Sequence, residues 1–184
     1  NMGRKITIDS STLFNKGLEM IEARWLFGIE MGRIDVIVHP QSIVHSMVEY
    51  VDGSVLAQLS HTDMCFPIQY AVTWPDRVGG GLKPLDFAEL GKLEFESPRY
   101  DDFPALNLAR RAGEAGGTMP AVYNAANEIA VDAFCDGKIG YTGIWETVHQ
   151  VMDGHQITQA SDLETLIEAD ADAREGARKL CGAE

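Results

Sequence analysis

The spacing of hydrophobic and polar positions changes period several times along this chain, and each change predicts an element. Ile6-Thr7-Ile8, inside Lys5–Asp9, is a β-branched run that predicts a strand. Asp9-Ser10-Ser11-Thr12 follows with small polar side chains suited to a turn or a helix start. Beyond Asn15 the apolar residues Leu18, Ile21, Trp25, Leu26 and Ile29 recur at i, i+3, i+7, i+8 and i+11, one stripe of a helix over Asn15–Met31. Asp35–His39 is a short apolar run stopped by Pro40, which reads as another strand. Ile43–Val51 and Ser54–Leu59 flank Asp52-Gly53, a strong signal for a β-hairpin. About four strands beside one helix are therefore expected. A second helix runs over roughly Thr62–Trp74, with Pro67 tolerated near its first turn.

Residues 76–103 lose all period. Gly79-Gly80-Gly81, Lys83-Pro84 and Pro98 interrupt any regular element, and the triple glycine lacks the spacing, upstream strand and following helix of a phosphate loop. It reads as a flexible connector. From Pro104 onward the pattern is helical: Pro104–Ala115 stops at Gly116-Gly117, Pro120–Phe134 follows, and Ile144, Val148, Val151 and Met152 form a further stripe. Ser161-x-x-Glu164 and Asp172-x-x-Glu175 both fit the capping box, predicting a short helix and then a terminal one. The fold class expected is α+β: a small, mostly antiparallel sheet with flanking helices over 1–75, a connector over 76–103 and a helical bundle over 104–184.

Charge narrows the partners. The formal charge of −13 is uneven: residues 1–80 carry 6 Lys+Arg against 9 Asp+Glu, residues 81–184 carry 9 against 19. Nucleic acid and anionic membranes are poor partners for so acidic a chain, and no apolar run approaches the ~20 residues that span a bilayer. Arg4, Lys5, Lys16 and Arg24 keep the N-terminal stretch locally basic, which leaves room for a small anion there. The three cysteines, Cys65, Cys135 and Cys181, are far apart and odd in number, and read as free thiols of a reducing cytoplasm.

The candidate chemistry lies where the N-terminal strand is expected to meet its helix. Ser10 and Asn15 offer donors, Lys16 a cation, and the first turn of a helix has unpaired amides and a positive dipole end, which together suit a phosphate. Glu19 lies three residues after Lys16 on the same face, where its carboxylate can hold a hard divalent cation. A capped helix with a Lys16–Glu19 surface pair fits the same spacing, so two readings stand. The histidines His39, His45, His61, His149 and His155 read as structural or surface residues. Pro40 separates His39 from His45, so a shared metal is not expected. Asn124, Asn127 and Glu128 (NAANE) are polar residues within a helical pattern, with hydrogen bonding to neighbouring loops the favoured reading.

The run MGRKITIDSSTLFNKGLEMIEARWLF, continued by HPQSIVHSMVEYVDGSVLAQL, WPDRV, KPLDF and NAANEIAV, closely resembles the 1-deoxy-D-xylulose 5-phosphate reductoisomerase family over nearly all 184 residues. The resemblance implies the C-terminal part of an enzyme that isomerises 1-deoxy-D-xylulose 5-phosphate and reduces the product with NADPH to 2-C-methyl-D-erythritol 4-phosphate, using Mg²⁺, Mn²⁺ or Co²⁺, in non-mevalonate isoprenoid synthesis. By matching positions it implies that Ser10, Asn15 and Lys16 bind the substrate, chiefly its phosphate end. Glu19 is then a metal ligand that also lies at the substrate, Gly3 lies beside the nicotinamide cofactor, and Met2 ends the flap over the substrate.

The family's nucleotide-binding domain and its other acidic metal ligands have no counterpart in these residues. One carboxylate is a poor site for a cation that prefers several oxygens. A fragment inactive by itself is therefore expected. The resemblance further implies a homodimer, and the β-rich Ile43–Leu59 region presents edges that a second copy would cover. Two alternatives remain: a non-catalytic dimerisation or scaffold piece, and a related reductase with another phosphorylated substrate.

Overall fold

A computed structural model describes residues 3–182 of the chain. The fold is mixed and mostly helical, with one two-stranded antiparallel sheet, in agreement with the expected class. In chain order the elements are α1 (Arg4–Thr12), α2 (Phe14–Phe27), a 3-10 turn (Met31–Arg33), β1 (Val44–Glu49), β2 (Val55–Leu59), α3 (Cys65–Thr73), α4 (Phe87–Leu90), α5 (Ala105–Ala115), α6 (Met119–Cys135), α7 (Gly143–Gly154) and α8 (Leu163–Leu180). They form two compact units. One runs through Val36 and resumes at Pro98, and the other is Ile37–Ser97. This grouping differs from the divisions at 75 and 103 drawn from the sequence, because α1 and α2 pack on α5 and α6.

The first unit is built on α6. Its buried residues Val122, Tyr123, Ala126, Ala130 and Val131 meet Ile144, Val148 and Met152 of α7 and Ala169, Ala173 and Ala177 of α8. Alanines on the facing surfaces let the helix backbones approach closely. Phe14 of α2 is fully buried, its ring 5.3 Å from that of Tyr123, whose hydroxyl donates to the Ala105 carbonyl at 3.2 Å. Gly17 is where α2 crosses α5: an added Cβ would lie 2.8 Å from Ala109 Cβ and would also run into the Tyr123 hydroxyl. A smaller cluster of Met20, Met31, Ile34 and Leu106 sits beside this core, and Arg110 ties it down by donating to the Met31 and Ile34 carbonyls at 2.7 and 3.1 Å.

Three expectations are corrected here. The strand expected at Lys5–Asp9 is helix α1 instead. Its β-branched residues are outvoted by the Lys5–Asp9 ion pair at 2.5 Å and by the docking of buried Asp9 and Thr12 on the helices behind. Asp172-x-x-Glu175 opens no helix: it lies within α8, one continuous helix whose Ala169, Ala173 and Ala177 are spaced to face the core throughout. The true cap is Asp162, which accepts the Thr165 amide hydrogen at 2.8 Å. The strand expected at Asp35–His39 reduces to a single bridge, Val38 to Glu96, so the described residues hold two strands, not four.

The second unit, Ile37–Ser97, holds the hairpin. Glu49 pairs with Val55 and Val48 with Leu56, with a bulge between Val44 and Ser46. Asp52 shapes the turn by accepting from the Ser54 amide at 2.9 Å, and Gly53 takes the positive φ of 82° that the turn requires. In the expected connector the Gly79–Gly81 run forms no regular element, while Asp86 caps the four-residue α4.

Candidate substrate and metal site

The candidate residues gather at a helix–helix junction. α1 ends at Thr12, Leu13 takes a left-handed conformation (φ 62°, ψ 14°), and α2 starts at Phe14 with no side-chain cap. A non-glycine residue held there costs on the order of 1–3 kcal/mol, and such strain gathers at functional sites. The first α2 turn keeps unsatisfied amides, since the bond from Gly17 to the Leu13 carbonyl, 2.9 Å, starts its ladder. The helix start expected from the sequence is present and uncapped, although a helix precedes it where a strand was expected.

On α2, Asn15 donates to Glu19 Oε1 at 2.8 Å, and Lys16 Nζ lies 2.6 Å from Glu19 Oε2. Both readings of this trio meet in that geometry. It is an exposed surface pair, and it also gathers an amide donor, a cation and a carboxylate within one turn of a helix N-terminus. Lys16 and Glu19 side chains are 41% and 45% exposed, open to an incoming ligand. Ser10 lies exposed in the last turn of α1. Gly3 is at the other end of that helix, and Met2 lies outside the described residues.

The described residues contain no group of three or more His, Cys, Asp or Glu able to hold a metal ion. A hard divalent cation takes six or more oxygens, and the Glu19 carboxylate alone can supply at most two of them. At Gly3 the backbone is extended (φ −62°, ψ 162°), and an added Cβ would meet no atom within 4 Å. Among the described residues nothing in the fold demands glycine there.

Other side chains settle into structural work. His39 Nδ1 bonds the Glu94 carbonyl at 2.7 Å and its ring stacks on Phe95, while His45 Nε2 bonds the Ser60 carbonyl at 3.2 Å. His155 Nε2 meets the Thr118 hydroxyl at 2.7 Å, and burial holds its pKa below the usual imidazole value although Asp172 pulls the other way. The NAANE polar residues bond to helices rather than loops. Asn127 donates to Asp9 Oδ1 of α1 at 2.9 Å, and Arg174 of α8 lies 2.7 Å from Glu128. Sequence reasoning passed over Asp9 as a turn former, and its buried partner lies 118 residues away, beyond any local signal.

Two family models match, "DXP reductoisomerase C-terminal domain" over residues 59–176 and "1-deoxy-D-xylulose 5-phosphate reductoisomerase C-terminal domain" over residues 1–27. Among curated relatives of that description, the protein of Citrifermentans bemidjiense is 57% identical over 99% of this chain and 47% of its own length. That of Symbiobacterium thermophilum is 57% identical over 97% and 46%. The chain thus spans about half the length of the curated relatives it matches. The reductoisomerase of Zymomonas mobilis, solved with NADPH, superposes with a TM-score of 0.93 at 47% identity over 98% of this chain and 48% of its own. A structure described as a DOX-P reductoisomerase with NADPH, fosmidomycin and magnesium superposes at 0.87, with 42% identity over 99% and 47%.

Proposed function

This chain belongs to the DXP reductoisomerase family, and on that premise we propose that it is the C-terminal share of an NADPH- and divalent-metal-dependent enzyme turning 1-deoxy-D-xylulose 5-phosphate into 2-C-methyl-D-erythritol 4-phosphate. The observation that carries this reading is the Asn15–Lys16–Glu19 trio at the start of α2. Ser10, Asn15 and Lys16 hold the substrate's phosphate end against the α2 amides, fixing its pose. Arrival of the phosphate gives Lys16 a stronger anionic partner and frees a Glu19 oxygen for the cation. When bound, the cation polarises the substrate carbonyl and steadies negative charge on its oxygens, and the nicotinamide supplies hydride. Gly3 leaves space for the nicotinamide at the start of α1. Glu19 is one ligand among several, so the 184 residues alone are expected to be inactive.

We further propose a cytoplasmic homodimer. The three cysteines are free, no helix of the described residues is long and apolar enough to cross a membrane, and the hairpin leaves Val48 and Leu56 exposed side by side.

The test uses the full-length enzyme over a Mn²⁺ titration. Glu19→Gln is expected to lower turnover and raise the Mn²⁺ requirement by about two decades, with NADPH binding nearly intact. Lys16→Ala is expected to weaken substrate binding at every Mn²⁺ concentration. Parent-like metal dependence in Glu19→Gln sinks the metal assignment. A surface pair alone would instead cost only ~0.2–1 kcal/mol of stability.

A further inference from the structure

Ser10 is held by both of its neighbours, and both holds come from the C-terminal helices. On one side Asp9, 2% exposed, accepts a hydrogen bond from Asn127 of α6 at 2.9 Å. On the other, the Ser11 carbonyl accepts from the Tyr141 hydroxyl, just ahead of α7, at 2.7 Å. The Tyr141 ring is itself oriented by edge contacts with Phe134 and Trp145, at 5.9 and 5.4 Å between centroids.

We propose that Asn127 is a positioning residue of the reductoisomerase reaction: through Asp9 it fixes the last turn of α1, and so holds Ser10 in place for the substrate phosphate. This rests on the reading of Ser10 as a phosphate contact. The sequence of α1 gives that turn little rigidity of its own. Ile6, Thr7, Ile8, Ser10, Ser11 and Thr12 are weak helix formers, and no side chain caps the N-terminus. Stability alone is a poor reason for the Asp9–Asn127 pair. Asn127 is fully buried and its Oδ1 has no hydrogen-bond partner among the described residues, a cost that an apolar contact between the same helices would avoid. What a hydrogen bond adds is direction: it sets the rotation and height of α1 on α6 at the residue beside Ser10. Misplacing a binding group by ~1 Å can cost on the order of a hundredfold in rate, so that precision has a functional use.

The experiment uses the full-length enzyme, reading substrate KM, NADPH KM, Tm and the competitive Ki of inorganic phosphate. Asn127→Leu is expected to raise substrate KM and phosphate Ki together by about tenfold, leaving NADPH KM within about twofold. The exchanged pair, Asp9→Asn with Asn127→Asp, gives up the Lys5–Asp9 ion pair but restores an amide–carboxylate bond between α1 and α6, and is expected to bring both back within about threefold of the parent. Tyr141→Phe, an exposed site where the fold is not at risk, is expected to raise both by about threefold. Ser10→Ala is the control: if it moves neither KM nor Ki, the phosphate reading of Ser10 fails. If Ser10→Ala raises both while Asn127→Leu only lowers Tm, the positioning role is overturned and the phosphate reading stands. Should Asn127→Leu not fold, Asn127→Ala takes its place, and a parent-like KM and Ki in that variant overturns the positioning role equally.

Discussion

The helical unit and the hairpin unit bury their apolar residues to very different extents. In the first, Phe14, Val122, Tyr123, Ile144 and Val148 are fully buried. In Ile37–Ser97 only Ile43 and Ser60 are buried, while Val51, Val72 and Trp74 stand open. The helical unit encloses a core of its own, as a stable domain must. The hairpin unit is made of apolar strands and a helix, α3, none of whose residues is buried. Exposed apolar surface of this extent marks an interaction face, and the curated relatives are about twice as long as this chain.

The largest effect expected from this contrast is at Phe14. Phe14→Ala opens a cavity against Tyr123 and should cost about 3–5 kcal/mol. Urea unfolding of the 184-residue chain measures it, and a loss below ~1 kcal/mol would mean that α2 is not a fixed part of the helical core. Next comes Gly17→Ala, which forces a methyl group against Ala109 and the Tyr123 hydroxyl. Overpacking of this kind costs ~1–3 kcal/mol. The same glycine→alanine change would be neutral if α2 could slide away from α5, so the result also tests how tightly the NKGLE segment is held.

A third expectation concerns pH. Burial, with Asp9 nearby as a smaller cause, pushes the Tyr123 phenol well above its usual pKa. A raised value in the folded state means the neutral phenol is favoured there. The stabilisation is full below the unfolded value of about 10 and is lost as pH rises from there toward the folded value. The urea midpoint should therefore fall above about pH 10 in the parent, and less steeply in Tyr123→Phe, which forgoes about 0.5–1.5 kcal/mol with the bond to Ala105. Equal slopes for parent and variant would mean that this ring is wetter than its surroundings suggest.

These effects also explain which parts were legible beforehand. α5, α6 and α7 announce themselves through helical period and, for α5, through Gly116-Gly117 at its end, all local signals. The trio Asn15, Lys16 and Glu19 was legible for the same reason, since i+3 and i+4 spacing is enough to bring the side chains together. α1 was not. Its β-branched residues favour a strand, and beside the local Lys5–Asp9 pair the contacts that override them come from Asn127 and Tyr141, more than a hundred residues along the chain. Asp172 misled for a related reason: its capping pattern is genuine, but the buried alanine row of α8 runs straight through it. The hairpin was legible from Asp52-Gly53, whereas the extent of its exposure has no local signal in the strands themselves.

The smallest stability change is expected in the hairpin, and it sharpens the comparison most. Val48 and Leu56 are cross-strand partners on one face, 56% and 64% exposed. In the isolated chain Leu56→Ser removes almost no burial, so its unfolding free energy should stay within about 0.5 kcal/mol of the parent. If a second copy covers this face, the same substitution removes apolar area from the interface instead. Fully burying a leucine side chain is worth about 1.5–3 kcal/mol, which corresponds to a tenfold or greater weakening of dimerisation. Light scattering over a concentration series reads the second effect, and urea unfolding of the monomer reads the first. A loss above ~1 kcal/mol in the monomer would mean the hairpin packs within its own chain, breaking the contrast with the helical unit. An unchanged dimer with an unchanged monomer would place the partner surface elsewhere, on a face that does not include Leu56.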